Sequence, residues 1–139
     1  MTTARDIMHP GVECVSENET LDVAAKMMRE LDVGALPVCG SDDRVKGIIT
    51  DRDIVVRCIA AGHDPTRVRA RELTDGTLVW VNADADVDDA LTAMQENQIR
   101  RLPVMDKHRL VGMISEADLV AHLPDEKLAM TVGQIYAHE

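Results

Sequence analysis

Phenylalanine is absent from this 139-residue chain, and a single Trp (Trp80) and a single Tyr (Tyr136) are its only large rings. The core must therefore be assembled from Val, Ile, Leu, Ala and eight Met, through many small contacts instead of a few large ones. Positive charge is also in short supply: 15 Lys and Arg stand against 25 Asp and Glu, a net charge of −10. Binding a long polyanion needs clustered cations that release counterions, so this balance argues against nucleic acid and membrane surfaces as partners. Cations gather only locally, at Arg67, Arg69 and Arg71 and again at Arg100 and Arg101, a patch suited to a single nucleotide.

No apolar run approaches a membrane span, and the opening MTTARDIMHP lacks the apolar stretch of a secretory signal, so a cytoplasmic location is expected. Cysteine is scarce and odd in number. Cys14, Cys39 and Cys58 show no CxxC spacing, which argues against a disulfide framework or a zinc ribbon. His9, His63, His108, His122 and His138 have no ligand spacing either, and no functional metal site is expected. Catalytic patterns are missing: there is no Ser/His/Asp order, no Walker-type loop, and Gly47 and Gly112 stand singly. The chain is not expected to be an enzyme.

What the chain does contain is itself, twice. About half of it, 45%, is apolar, enough for one compact domain or two fused halves. A shift of 66 residues lays ARDIM (4–8) on ARELT (70–74), Val15 on Val81, Ala24 on Ala90, Met28 on Met94, and LPV (36–38) on LPV (102–104). One residue is then lost in a turn, and at a shift of 65 Gly47 falls on Gly112, Ile49 on Ile114 and Asp53 on Asp118. Order and identity over so many positions mark an internal duplication.

Each copy reads as β-α-β-β-α. A short extended piece, VECV or LVWV, precedes a helix whose apolar residues recur at helical spacing: Leu21, Ala24, Ala25, Met28 and Leu31, then Val87, Ala90, Leu91 and Met94. Thr20 and Asp86 are the expected N-caps. The strands VGALPVC and IRRLPVM follow, each with a proline (Pro37, Pro103) that belongs at an edge or irregularity of a sheet. After a polar turn come RVKGIIT and RLVGMIS, then helices from Asp51 to about Ala61 and from Glu116 to about His122. The organisation read from this is residues 1–62 as the first copy, 63–69 as linker, 70–123 as the second copy, and 124–139 as a tail able to form one more helix.

The duplicated LPV strand followed by G-h-h-[T/S]-x-x-D, in GIITDRD (47–53) and GMISEAD (112–118), resembles the CBS motif, and two copies in tandem resemble a CBS pair, or Bateman module. The resemblance spans roughly residues 4–123, and GALPVCGSDDRVKGIITDRDIV is particularly similar to small stand-alone CBS pairs of the hypoxic-response type. It implies an α/β (α+β) fold of two motifs packed with pseudo-two-fold symmetry, with adenine nucleotides or adenosyl compounds held in clefts between the motifs. No cofactor is required; the nucleotide is the implied ligand, and its occupancy would regulate a partner protein.

By that resemblance the hydroxyls of Thr50 and Ser115 meet phosphate, and the carboxylates of Asp53 and Asp118 hold the ribose hydroxyls. A carboxylate can grip a diol through two charge-assisted hydrogen bonds. The same pairs, Thr50-x-x-Asp53 and Ser115-x-x-Asp118, also read as plain helix N-caps. Arg100 and Arg101 precede LPV in the second copy where the first has Gly34 and Ala35, so Arg101 is expected to complete a site with Thr50 and Asp53. The Ser115–Asp118 site, facing Gly34 and Ala35, is expected to be weak or empty. Arg67 and Arg69 are read as solvent-facing.

Cys14 lies in the first strand and Cys39 at the end of the second, and strands flanking a βαβ helix can lie side by side. Two buried thiols are the ordinary outcome for such a pair; a reversible disulfide is the alternative, and would suggest redox sensing or added stability. Their counterparts in the second copy are Trp80 and Met105, and Cys58 reads as a core or interface residue. The amphipathic helices carry more apolar face than a three-stranded sheet can cover, which points to a homodimer packed through them. The competing reading is a ligand-free dimeric stress or scaffold protein whose switch, if any, is the Cys14–Cys39 pair.

Overall fold

A computed structural model describes residues 1–74, 76 and 78–137 of the chain. Along it run α1 (Ala4–Ile7), β1 (His9–Pro10), β2 (Val15–Ser16), α2 (Leu21–Leu31), β3 (Ala35–Cys39), β4 (Val45–Thr50) and α3 (Asp51–Asp53). A π-helical stretch (Ile54–Ile59) and a 3-10 turn (Ala70–Leu73) follow. The second copy supplies β5 (Val81–Asn82), α4 (Val87–Asn97), β6 (Arg101–Asp106), β7 (Arg109–Ser115), α5 (Glu116–His122) and α6 (Asp125–Ile135). The mixed α/β architecture and the β-α-β-β-α order agree with the sequence reading.

The chain divides into two compact units, and these do not follow the boundaries of the repeat. One unit is Glu13–Leu78; the other joins Met1–Val12 to Val79–Glu139. The segment that leads each repeat is thus stitched to the body of the other, and the stitches are the same three backbone bonds. In the Glu13–Leu78 unit, Ala70 N donates to Glu19 O (2.8 Å), Arg71 N to Glu17 O (2.9 Å) and Leu21 N to Val68 O (3.0 Å). In the other unit, Ala4 N donates to Ala85 O (2.9 Å), Arg5 N to Ala83 O (3.0 Å) and Val87 N to Thr2 O (2.9 Å).

The glycine of each G-h-h-[T/S]-x-x-D stretch explains the docking. A Cβ on Gly47 would lie 2.8 Å from the Thr74 Cβ, and one on Gly112 would run into Met8 Sδ and lie 2.8 Å from the His9 carbonyl oxygen. These glycines are notches that admit the leading segment of the other repeat. Arg5, from α1, adds an ion pair to Asp106 at 2.9 Å.

The Glu13–Leu78 unit holds a sheet of order β2-β3-β4, and the other a sheet of order β1-β7-β6-β5. In both, a two-residue strand runs parallel to the LPV strand, with Val15 opposite Val38 and Val81 opposite Val104. Pro37 and Pro103 precede those pairs, beyond the reach of the short strand, and the ladder shifts register just after them, between Val38 and Cys39 and between Val104 and Met105. A missing ladder donor is tolerated at such places. Both first helices end on a left-handed residue, Asp32 (φ 55°) and Gln98 (φ 52°). The next amides, Val33 N and Ile99 N, close the turn onto Met28 O (3.0 Å) and Met94 O (3.1 Å).

Two differences from the sequence reading concern helices. In α2, Leu21, Ala24 and Met28 are buried but Ala25 and Leu31 are exposed, whereas Val87, Ala90, Leu91 and Met94 of α4 are all buried. The cause is α6, which packs on α4 and places Ile135 in the same core as Leu91, with Gln95 Nε2 donating to the buried Thr131 hydroxyl at 3.2 Å. The helix after Thr50 also changes pitch: Ala60 N donates to Val55 O (2.8 Å) and His63 N to Cys58 O (2.9 Å), five residues back. That wider turn keeps Ile54 and Cys58 on the buried face and turns Val55, Val56 and Ile59 outward.

Candidate functional site

Strand period and helix start meet at two corners. At the first, β4 delivers Thr50 in extended conformation to the start of α3. Its hydroxyl oxygen accepts from Asp53 N at 3.0 Å, while Thr50 N donates to Asp53 Oδ2 at 2.9 Å. This is a full capping box, so the plain reading of the pattern is realised. It does not exhaust the groups. Among the described residues, Thr50 keeps its hydroxyl proton, and Asp53 keeps Oδ1 and one lone pair of Oδ2. Across the ladder, Thr50 faces Ala35.

The second corner uses the same residues differently. Ser115, at the end of β7, donates to Asp118 Oδ2 from its backbone N (2.8 Å) and also from its hydroxyl (2.9 Å). A third donor is His9, whose Nδ1 lies 2.6 Å from the same oxygen. β1 brings it there, pairing antiparallel with β7 so that His9 faces Met113 and Pro10 faces Gly112. The Asp118 side chain is 14% exposed, and the His9 side chain beside it is 47% exposed. A carboxylate oxygen only accepts, so Nδ1 carries the proton. His122, one turn on in α5, has its own Nδ1 2.9 Å from the Asp118 carbonyl oxygen. Glu116 Oε1, on the first residue of α5, is buried and without a hydrogen-bond partner among the described residues.

Arg101 stands in register with Ser115 of its own unit. The expected set of Arg101 with Thr50 and Asp53 joins residues of two different units; within each unit, the partner of Thr50 is Ala35 and that of Ser115 is Arg101. Arg100 is exposed, with its guanidinium carbon 5.8 Å from the Tyr136 ring centroid. Arg67 is exposed beside Asp64, and Arg69 and Arg71 both reach Asn18, by its carbonyl oxygen (2.6 Å) and its side-chain oxygen (3.0 Å). These last two are clamps on the turn before α2.

Cys14 and Cys39 are joined by a disulfide, with a Cα–Cα distance of 5.8 Å. The parallel pairing of β2 with β3 brings them together and neither is fully buried; the pair is the disulfide alternative and not two core thiols. Cys58 is free and fully buried, and that burial pushes its thiol pKa up. Among the described residues no three His, Cys, Asp or Glu side chains gather as a metal centre requires; His138 lies outside them. No helix among them is long and apolar enough to cross a membrane.

Sequence reasoning missed His9. The available signal was its place immediately after ARDIM, on the segment that the repeat brings to Gly112.

The geometry has counterparts among known proteins. The CBS domain model matches residues 4–59 and 70–125. Hypoxic response protein 1 of Mycobacterium tuberculosis is 52% identical over 135 residues, covering 97% of this chain and 94% of that one. A crystal structure of Hypoxic Response Protein I with two coordinated zinc ions superposes with a TM-score of 0.80 at 54% identity, covering 88% of this chain and 100% of that one. The conserved CBS domain protein TA0289 of Thermoplasma acidophilum superposes with a TM-score of 0.82 at 26% identity, over 96% of this chain and 75% of that one.

Proposed function

The chain belongs to the CBS-domain family as a tandem pair, and on that premise we propose that it is a regulatory module that binds an adenine nucleotide and carries no catalysis of its own. The observation that supports this reading is the first corner. Thr50 retains a hydroxyl proton for a phosphate oxygen, and Asp53 retains enough acceptor sites for both hydroxyls of a ribose. AMP, ADP, ATP and adenosyl compounds share that chemistry. Nucleotide occupancy would be passed to a partner protein.

A homodimer completes the reading. Beside the first corner, the π-helical stretch leaves Val55, Val56 and Ile59 at 57%, 47% and 53% exposure on one helix. Three apolar side chains held in water on a single helix favour a second copy as their cover.

The test is calorimetric titration of the chain with AMP, ADP and ATP beside Asp53→Ala. Binding by the unmodified chain and a loss of at least about 100-fold in the variant are expected, since two charge-assisted hydrogen bonds disappear. Retained fold is checked by circular dichroism, because the capping box is cut as well. Absence of binding by all three nucleotides would sink the reading.

The Cys14–Cys39 disulfide favours a second reading, a ligand-free dimeric stress or scaffold protein. Disulfides are uncommon in reducing compartments, so one here points to a redox role or to added stability. Stability that follows the redox potential, in a chain that binds no nucleotide, would select it.

A further inference from the structure

We infer that His9 decides which corner takes ligand: it plugs the second, so that the chain binds one nucleotide, at Thr50 and Asp53. The inference rests on the nucleotide reading above and adds to it a residue that acts on one site and not on its duplicate.

Three observations carry it. First, Asp118 Oδ2 already receives three hydrogen bonds, from Ser115 N, Ser115 Oγ and His9 Nδ1. Oδ2 has no lone pair left for a ribose hydroxyl, so Asp118 can offer a diol only Oδ1 and not one oxygen per hydroxyl, the two-point grip that Asp53 allows. Second, the Ser115 proton is directed at Asp118, where Thr50 holds its own free for a phosphate. Third, the backbone that carries the imidazole is held in place. β1 pairs His9 with Met113 of β7, and the His9 carbonyl oxygen packs close against Gly112.

Among the described residues the first corner shows no counterpart of His9. The residue that the repeat aligns with His9 is Asp75, which lies outside the described residues. An ionised aspartate is an acceptor and has no proton to give a second carboxylate. The weak second corner expected from the sequence thus has a cause other than a shortage of cations: Arg101 stands across from Ser115, and what is taken there is one of the two carboxylate oxygens.

The experiment is calorimetric titration with AMP, ADP and ATP of four full-length proteins: the unmodified chain, Asp53→Ala, His9→Ala and the double variant. One equivalent per chain is expected for the unmodified protein and none for Asp53→Ala. Two are expected for His9→Ala. The double variant should recover one, bound at least roughly tenfold more tightly than any residue of binding in Asp53→Ala, because one charge-assisted hydrogen bond no longer competes. His9→Thr, which keeps a strand-favouring residue in β1, runs beside His9→Ala in case the alanine loosens the arm.

An unchanged single equivalent in both His9 variants overturns the plug and leaves the nucleotide reading standing. Two equivalents in the unmodified chain do the same. No binding by the unmodified chain, with one equivalent appearing in His9→Ala, supports the plug and refutes the first corner. No binding by any of the four overturns both.

Discussion

At the first corner the Thr50 hydroxyl accepts its bond from the helix and keeps its proton; at the second, the Ser115 hydroxyl gives its proton to Asp118, and His9 adds another. The two stretches read almost alike, Gly-Ile-Ile-Thr-Asp-Arg-Asp against Gly-Met-Ile-Ser-Glu-Ala-Asp. Half of their difference is local, in the hydroxyl, and half comes from a residue more than a hundred positions away in the chain. A duplicated motif therefore specifies a shape that can hold a ligand, and whether it is free to do so depends on what docks beside it. The same holds for the rest of the two units. One carries a disulfide and no cover on its first helix; the other carries a covering helix, with Trp80 and Met105 where the cysteines would be.

The disulfide gives the sharpest way to separate the units. Closing the loop between Cys14 and Cys39, 25 residues apart in sequence, is worth about 3 kcal/mol in the chain-entropy account. Reduction, or Cys14→Ser with Cys39→Ser, should lower the melting temperature by on the order of 10 °C. The loss should fall on one unit only. Glu17 N donates to Cys39 O at 2.9 Å, and its repeat counterpart, Ala83 N, donates to Met105 O at 2.8 Å. Amide hydrogen exchange should accelerate at Glu17 on reduction and stay unchanged at Ala83. Equal acceleration at both would show that the two units melt as one.

The notch glycines give the next largest effect. A Cβ on Gly112 meets Met8 Sδ, which can swing away, but also a backbone oxygen, that of His9, at 2.8 Å. On Gly47 the close atoms are the Cβ and Cγ2 of Thr74, at 2.8 and 3.0 Å. Both substitutions overpack, at a cost of about 1–3 kcal/mol. Gly112→Ala should be the worse of the two, since a strand hydrogen-bonded to β7 must move, whereas at Gly47 the backbone that must shift is that of Thr74, the residue capping the 3-10 turn and outside any strand. It should also displace His9 and raise nucleotide stoichiometry, whereas Gly47→Ala should not. Melting curves and titration of the two variants check both statements.

Much of this fold was legible because it is periodic. The apolar stripes of α2 and α4, the alternation through β4 and the two hydroxyl-x-x-aspartate corners all follow from spacing. The exchange of leading segments was not legible. ARDIM and ARELT are so alike that the same three hydrogen bonds would form whichever body each segment joined, and only the chain path selects one. Ala25 and Leu31 were misplaced for a related reason: a helical stripe says which face is apolar, not whether a later helix such as α6 will cover it. The adjacency of Cys14 and Cys39 followed from the parallel strands, but their oxidation did not, since two half-buried thiols can close or stay open in the same geometry. His9 was passed over because its partner is found only when β1 joins β7.

The smallest expected effect tests whether α6 belongs to one unit alone. Its end is tied to the approach to β6 by the Arg100 guanidinium over the Tyr136 ring, and its first turn to the start of α4 by Lys127 against Asp88. The ion pair is exposed at both ends, so removing it should change stability little. The ring contact is worth about 0.5–1 kcal/mol at an accessible position, and Tyr136→Leu keeps apolar bulk while deleting the ring's charge distribution. Its consequence should be read where Leu91 and Ile135 share a core: exchange should speed up at the amides of α6 and the last turn of α4. The α2 amides should not respond, because that helix presents Ala25, Lys26 and Arg29 to solvent, side chains that need no cover. A response in α2 equal to that in α4 would mean that the asymmetry between the units does not extend to their stability.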